Sequence, residues 1–138
     1  MPTDLKLERV TLKPVPVVVV VEKGPPHEVA PRAFERLEAA VGSLRDRKLY
    51  GYYSPFTREY KACVALASDA DAKGLERETL PGGRYLRTRL TGEPPKLYAR
   101  IAPIFDQMVL AADTKDFERP WIEFYAAPDE VQLLVPIL

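Results

Sequence analysis

The chain has 138 residues, and its 20 basic and 20 acidic residues leave a formal net charge of zero. Without an excess of positive charge, direct binding to nucleic acid or to an anionic membrane surface is not expected. The sole cysteine, Cys63, excludes a disulfide within the chain and a multi-cysteine metal cluster, and it favours a reducing, cytoplasmic location.

The N-terminal segment does not resemble a secretory leader, because no basic region is followed by an apolar run and a cleavage site. The longest apolar stretch, Val15 to Val21, is too short to span a bilayer. Secretion and membrane insertion are therefore not expected. The absence of asparagine and the 14 prolines suggest a thermophilic source.

The sequence contains an internal repeat. Residues 7–12, LERVTL, recur as LERETL at residues 75–80, an offset of 68 residues. The same offset superposes Gly24 on Gly92, Pro26 on Pro94 and Val41 on Val109. One register that links separated positions favours a duplication over chance similarity. The chain is therefore predicted to be one domain, residues 1–138, with halves at about 4–70 and 73–138.

In the first half, the run from Val15 to Val21 predicts a buried central strand. A helix is predicted to begin at Pro31, since apolar residues then recur at helical spacing. The members of this stripe are Phe34, Leu37, Val41 and Leu44. Two further strands are predicted at Leu49–Tyr53 and Tyr60–Ser68, followed by a small, polar linker at 68–74.

The second half repeats this order, with a strand predicted at Arg84–Leu90. Its helix is expected to start near Tyr98 to Ile101, because Pro103 is tolerated only in the first turn. The buried stripe of this helix is Ile101, Phe105, Met108 and Ala112, and the last two strands are Trp121–Tyr125 and Val131–Ile137. The predicted fold is α+β, with duplicated βαββ units that form a pseudo-two-fold antiparallel sheet, two main helices on one face and a central cleft.

Glu123 is the main candidate for a functional residue. Side chains alternate between the faces of a strand, so Trp121, Glu123 and Tyr125 share one face, and Ile122 and Phe124 share the other. An acid between two aromatic residues fits the wall of a ligand cavity, because a buried, unpaired carboxylate is costly and exposed rings are unfavourable. The alternative is an ion pair of Glu123 with a basic residue on an open sheet face.

Further aromatic residues are candidates for the same cavity. At the 68-residue offset Trp121 corresponds to Tyr53, which follows Tyr52 in a run of three tyrosines. Tyr85 and Tyr98 are weaker candidates of the same kind. Each of these tyrosines is explained equally well by a position at the edge of the core. Glu123 corresponds to Pro55 at this offset, so only one half is expected to carry the acid.

Four segments in order resemble the gyrase-inhibitor-like (GyrI-like) superfamily, also called AraC-type effector-binding domains. They are Leu80 to Tyr85, Arg89 to Pro94, Pro120 to Tyr125 with a Pro-x-x-Glu-x-Tyr signature, and Val131 to Ile137. The resemblance covers nearly the whole chain, and it implies a duplicated βαββ fold with a ligand-binding cleft and a functional role for the signature Glu123. The chain departs from the family pattern at Glu93 and at Gln132.

Common catalytic chemistries lack support in the sequence. His27, the sole histidine, lies in a turn-like Pro-Pro-His-Glu segment, which argues against a catalytic triad or a multi-histidine metal site. Cys63 lies in an apolar strand, where cysteine is usually a buried hydrophobic residue. The segment from Pro81 to Arg84 lacks the glycine spacing of a phosphate-binding loop. No metal and no cofactor are expected.

Three functions follow from these observations. The first is a stand-alone binding domain for hydrophobic cationic molecules, without a DNA-binding module, that acts as a sensor or by sequestration. The second is a hydrolase of strained or electrophilic small molecules, with Glu123 as general base and Tyr53 or Tyr125 as proton donor. The third is an inhibitor that binds a protein through an exposed surface, as the resemblance allows. A protein partner or a homodimer is left open.

Overall fold

The computed structural model describes residues 5–54, 56–66, 74–112, 116 and 118–138. Within these residues, eight strands and three helices occur in the order β1 (Glu8–Leu12), β2 (Val15–Lys23), α1 (Pro26–Val41), β3 (Leu49–Ser54), β4 (Glu59–Ala65), β5 (Glu76–Leu80), β6 (Gly83–Thr91), α2 (Lys96–Ala99), α3 (Ile101–Ala111), β7 (Trp121–Ala127) and β8 (Glu130–Pro136). Pro55 and most of the predicted linker, residues 68–73, lie outside the described residues.

The strands form one antiparallel sheet in the order β1-β6-β8-β7-β3-β4-β2-β5. The order is symmetric about the β7–β3 pair, so each half contributes four strands related by a pseudo-two-fold axis. The sheet curls into a half-barrel with a cleft, and the predicted α+β fold class is confirmed. No helix of the described residues is long and apolar enough to cross a membrane.

The two repeated segments that reveal the duplication form strands, and these two strands are absent from the sequence prediction. LERVTL forms β1 and LERETL forms β5, so each half is ββαββ rather than βαββ. Each of these edge strands pairs with the other half, since β1 pairs with β6 and β5 pairs with β2. The exchange of edge strands ties the two halves together by backbone hydrogen bonds.

Helix α1 begins at Pro26, earlier than the predicted start at Pro31, and Pro31 lies inside the helix. Pro31 lies near the start of the helix, and its missing N–H removes one backbone hydrogen bond. This bond is close to the first turn, where the N–H groups have no acceptor within the helix. Gly42 ends the helix with a positive φ of 96°, and its N–H donates to the carbonyl of Glu38. The side chain of Leu44, predicted as part of the helix, follows this end and still packs on the core.

The second helical segment is divided at Arg100 into the short α2 and the longer α3. Pro103 is the third residue of α3, where its lack of an N–H costs no intrahelical hydrogen bond. This start agrees with the sequence prediction. The buried residues of α3 are Ile101, Ile104, Phe105 and Met108.

Both long helices pack on the same face of the sheet, hereafter the helix face. Helix α1 covers β2 and β4 with Val29, Ala33 and Leu37. Helix α3 covers β8, where Leu133 and Val135 are buried. The central strands β3 and β7 therefore lie between the two helices, and the cleft opens above them.

Candidate functional site

Glu123 lies in the middle of this cleft, on β7 where it pairs with β3. Its cross-strand partners are Gly51 on β3 and Leu133 on β8. Because Leu133 packs under α3, the Glu123 side chain also points to the helix face. Only 5% of Glu123 is exposed, so a carboxylate is buried at the centre of the molecule.

The pairing registers show which residues of the two halves are equivalent. One row of paired residues crosses the sheet in the order Thr88, Leu133, Glu123, Gly51, Ala62 and Val20. Its ends, Val20 and Thr88, keep the 68-residue offset, so Gly51 is the equivalent of Glu123. The prediction of Pro55 as its counterpart is wrong, because the offset changes between the helices and the strands that follow. Trp121 is the cross-strand partner of Tyr53, not its equivalent.

Two tyrosine hydroxyls hold the Glu123 carboxylate. Tyr125 donates a hydrogen bond of 2.5 Å, and Tyr60 on β4 donates one of 3.0 Å, both to Oε1. The Tyr60 hydroxyl reaches across β3 because Gly51 has no side chain. A Cβ at Gly51 would collide with that hydroxyl and with Glu123 Oε1. The glycine is therefore required by the site.

The Tyr125 ring is fixed between two other aromatic residues. Phe34 of α1 contacts it edge-on at 5.4 Å between ring centroids, and Tyr98 of α2 does so at 6.0 Å. Edge-to-face contacts at these separations are favourable and orient the ring. The hydroxyl of Tyr125 is thus held towards Glu123 by residues from both helical segments.

The Glu123 carboxylate has no counter-charge among the residues that the structure describes. Among the described residues no cationic group forms an ion pair with it, and no hydrogen bond reaches its Oε2. Burial raises the pKa of Glu123, and the hydrogen bonds from Tyr125 and Tyr60 oppose that rise only in part. Burial, followed by the nearby Glu123 charge, raises the pKa of both tyrosines well above 10, so their hydroxyls remain donors.

A cavity of about 1360 Å³ opens above Glu123. Its walls come from both helical segments, the central strands and the loop between α1 and β3. The lining includes Glu123, Tyr125, Phe34, Tyr98, Ala30, Leu44, Leu49, Ile101 and Ala102. Aromatic and aliphatic side chains thus surround one buried acid, which is a common composition for a small-molecule site.

The aromatic residues predicted for this site divide into three groups. Tyr125 and Tyr98 line the cavity with Glu123, and Tyr98 is 45% exposed at its rim. Trp121 and Tyr53 lie on the helix face but outside the lining. Trp121 stacks on Phe105 of α3 at 5.4 Å and contacts Tyr53 at 6.4 Å, so this pair packs beside the site as part of the core.

Tyr52 and Tyr85 lie on the opposite face of the sheet, away from the cavity. Tyr52 alternates with Tyr53 along β3 and packs in a separate apolar cluster with Cys63. Tyr85 is fully buried, donates a hydrogen bond of 2.6 Å to the carbonyl of Pro81, and lies under the Arg119 guanidinium. Their assignment to the ligand site is therefore corrected by the geometry of the sheet.

Tyr60 is a site residue that the sequence prediction did not single out. It begins the predicted strand at Tyr60–Ser68. The sequence feature that could have identified it is the hairpin that this strand forms with Leu49–Tyr53. In an antiparallel hairpin of these strands Tyr60 faces Tyr53, and the structure has that register. A fully buried tyrosine needs a partner for its hydroxyl, and Glu123 is that partner.

The remaining candidates for chemistry lie apart from Glu123. The His27 side chain is exposed at the cavity rim. Cys63 is buried, and burial raises the pKa of its thiol, which makes it a poor nucleophile. Within the described residues no group of three or more His, Cys, Asp or Glu side chains is arranged to hold a metal ion.

No family model and no curated protein sequence matches the chain. Solved structures do match it over nearly its full length. SAV2435 bound to tetraphenylphosphonium has a TM-score of 0.69 and 14% identity, with 99% of this chain and 94% of that chain covered. The EcmrR C-terminal domain has a TM-score of 0.66 and 10% identity, with 99% of both chains covered. A hydrolase from Listeria innocua has a TM-score of 0.60 and 13% identity, with 96% and 92% covered. At these identities the likeness shows a shared fold.

Proposed function

We propose that this protein binds small hydrophobic cations in the cavity between its helices, with Glu123 as the charge partner. The observation that carries the proposal is a buried carboxylate that faces a cavity and has no cationic partner among the described residues. Burying such a charge is unfavourable, and proteins retain it where it has a use. A cationic ligand supplies the missing counter-charge.

The walls of the cavity suit the apolar part of such a ligand. Tyr125, Tyr98 and Phe34 provide ring faces and edges, and each cation–π contact contributes about 0.5–2 kcal/mol. The tetraphenylphosphonium bound to SAV2435, a protein of the same fold, supports a ligand of this class. On this proposal the chain is a single GyrI-like effector-binding domain over residues 1–138 that senses or sequesters its ligand.

The test compares two probes of the same shape and opposite charge, tetraphenylphosphonium and tetraphenylborate, by isothermal titration calorimetry. The wild-type protein is expected to bind the phosphonium and to reject the borate. Glu123→Gln keeps the size and the hydrogen-bond acceptor of the side chain but removes its charge. We expect it to weaken phosphonium binding at least tenfold, because a buried charge contact is lost.

The matched control is Glu38→Gln, which removes an exposed acid from α1 outside the cavity lining. Its affinity for the phosphonium is expected to equal that of the wild type. Equal phosphonium binding by wild type and Glu123→Gln would refute the role of Glu123 as charge partner. Binding of both probes with equal affinity would refute selection for cations.

A smaller effect is expected at the rim of the cavity. Tyr98→Ala removes a half-exposed ring that contacts Tyr125, and we predict a three- to tenfold loss of phosphonium affinity. Tyr52→Ala is the comparison, because Tyr52 lies on the opposite sheet face and its loss is expected to leave the affinity unchanged. Calorimetric titration of both variants measures the difference. A larger loss in Tyr52→Ala would contradict this placement of the ligand.

A hydrolase is the second candidate, and the hydrogen-bond pattern around Glu123 favours it. Both tyrosine hydroxyls bond to Oε1, so Oε2 is left to act as a base on a water in the cavity, with Tyr125 as proton donor. The Listeria innocua hydrolase of the same fold supports this alternative. Turnover of a panel of epoxides and activated esters that is lost in Glu123→Gln but not in Glu38→Gln would establish it. The absence of turnover across the panel would leave binding as the function.

A further inference from the structure

A second charged region lines the same cavity, at its rim. Four consecutive residues of the loop between α1 and β3, hereafter the rim loop, contribute to the lining. They are Arg45, Asp46, Arg47 and Lys48. Three positive side chains and one negative side chain give the rim a net positive charge, opposite in sign to Glu123 at the floor.

The strand register gives an approximate backbone separation between the two charged regions. Gly51 faces Glu123, and Lys48 precedes Gly51 by three residues on the same chain segment. An extended segment of this length spans about 10 Å. The lining between the two regions is apolar, since Leu49 and Tyr125 form the next cross-strand pair. The cavity thus has a negative floor, an apolar middle and a positive rim.

The cations of the rim loop differ in how they are held. Arg47 is fixed to the sheet by a hydrogen bond of 2.9 Å to the carbonyl of Ala65. Among the described residues, neither the Arg45 guanidinium nor the Lys48 ammonium has an ion-pair partner. Both are exposed, so they attract an anion weakly, and salt reduces that attraction. A purely cationic ligand gains nothing from this rim.

We infer that the cavity prefers zwitterionic amphiphiles, whose cationic end reaches Glu123 and whose carboxylate or phosphate lies against the rim loop, with an apolar chain of about 10 Å between them. The inference rests on the proposed function for its cationic end. The positive charge of the rim loop indicates the group at the other end of the ligand, which the proposed function does not specify.

The test compares decyltrimethylammonium with its analogue that carries a carboxylate at the far end of the chain, by calorimetric titration. The added carboxylate is expected to raise the affinity of the wild-type protein about five- to tenfold in low salt, and much less in roughly 0.5 M salt. In the double variant Arg45→Gln/Lys48→Gln this gain is expected to disappear, while the affinity for decyltrimethylammonium is unchanged or slightly higher.

The double variant Lys13→Gln/Lys23→Gln removes the same charge from exposed positions outside the cavity lining, and it should keep the gain. Equal affinity of the wild type for the two probes would overturn the inference, as would a gain that survives in Arg45→Gln/Lys48→Gln. If decyltrimethylammonium binds and Glu123→Gln weakens it, the proposed function stands while the rim inference fails. If Glu123→Gln leaves both probes unaffected, the proposed function fails, and the inference fails with it.

Discussion

Glu123→Gln is expected to stabilise the ligand-free protein by about 2 kcal/mol at neutral pH, which corresponds to a rise of about 7 °C in the thermal midpoint. The wild-type protein buries a carboxylate without a counter-charge. Glutamine retains an oxygen that accepts the hydrogen bonds from Tyr60 and Tyr125, and it removes the cost of burying the charge. Urea unfolding followed by circular dichroism measures the difference.

The stabilisation should depend on pH, because the pKa of Glu123 is raised in the folded state by burial. Below the ordinary carboxyl pKa of 4.5, Glu123 is protonated in both the folded and the unfolded protein, so folding buries no charge. As the pH rises through the folded pKa, the folded carboxyl group loses its proton and the wild type loses stability. The advantage of Glu123→Gln is therefore small in acid and grows as the pH rises through the folded pKa of Glu123.

Glu38→Gln is the control for this pH profile, because Glu38 is exposed and its loss should leave the curve of the wild type unchanged. A Glu123→Gln protein that is less stable than wild type at neutral pH would contradict the absence of a counter-charge. A constant advantage at all pH values would contradict ionisation as the cause. Saturating tetraphenylphosphonium should reduce or reverse the advantage, since the cation stabilises only the charged form well.

The position of Glu123 on the helix face follows from the sequence, because period-two alternation and the helical stripes are local properties. Tyr53 pairs with Trp121, which shares the face of Glu123. Alternation along β3 therefore places Tyr52 on the opposite face. Placing Tyr60 in the site depends on two further features, the pairing of β4 with β3 and the lack of a side chain at Gly51. Such a register is set by tertiary packing and turn geometry, and spacing along one strand does not encode it.

The edge strands β1 and β5 are a second feature that could not be predicted from local sequence patterns. The segments LERVTL and LERETL are short and largely polar, and most residues of the two strands that they form are exposed. Short, polar strands of this kind are stabilised by their neighbour in the sheet more than by burial. Their neighbours are β6 and β2, which belong to the opposite half. The duplication was therefore visible in the sequence, whereas the exchange of strands was not.

Gly51→Ala is expected to cause the largest loss of stability, about 3 kcal/mol or more. A Cβ at this position would overlap the Tyr60 hydroxyl and Glu123 Oε1, both of which are buried. The neighbouring strands cannot move apart without breaking the pairing of β3 with β4 and β7. Relief requires displacement of the two side chains, which separates the carboxylate from a donor. Chemical unfolding of the purified variant measures the loss.

Gly74→Ala is the comparison, because a Cβ there meets nothing and only the positive φ of 73° is strained. Its cost is expected to be about 1 kcal/mol. Gly51→Ala combined with Glu123→Ala should be more stable than Gly51→Ala alone, since the second change removes Glu123 Oε1, one of the two groups that the new methyl overlaps, and leaves space into which the Tyr60 hydroxyl can move. A Gly51→Ala protein as stable as Gly74→Ala would contradict the close approach of Tyr60 and Glu123 over β3. The double variant tests whether the loss of stability in Gly51→Ala is caused by this overlap. If the centre of the sheet tolerated no side chain at all, truncating Glu123 on the adjacent strand would restore no stability.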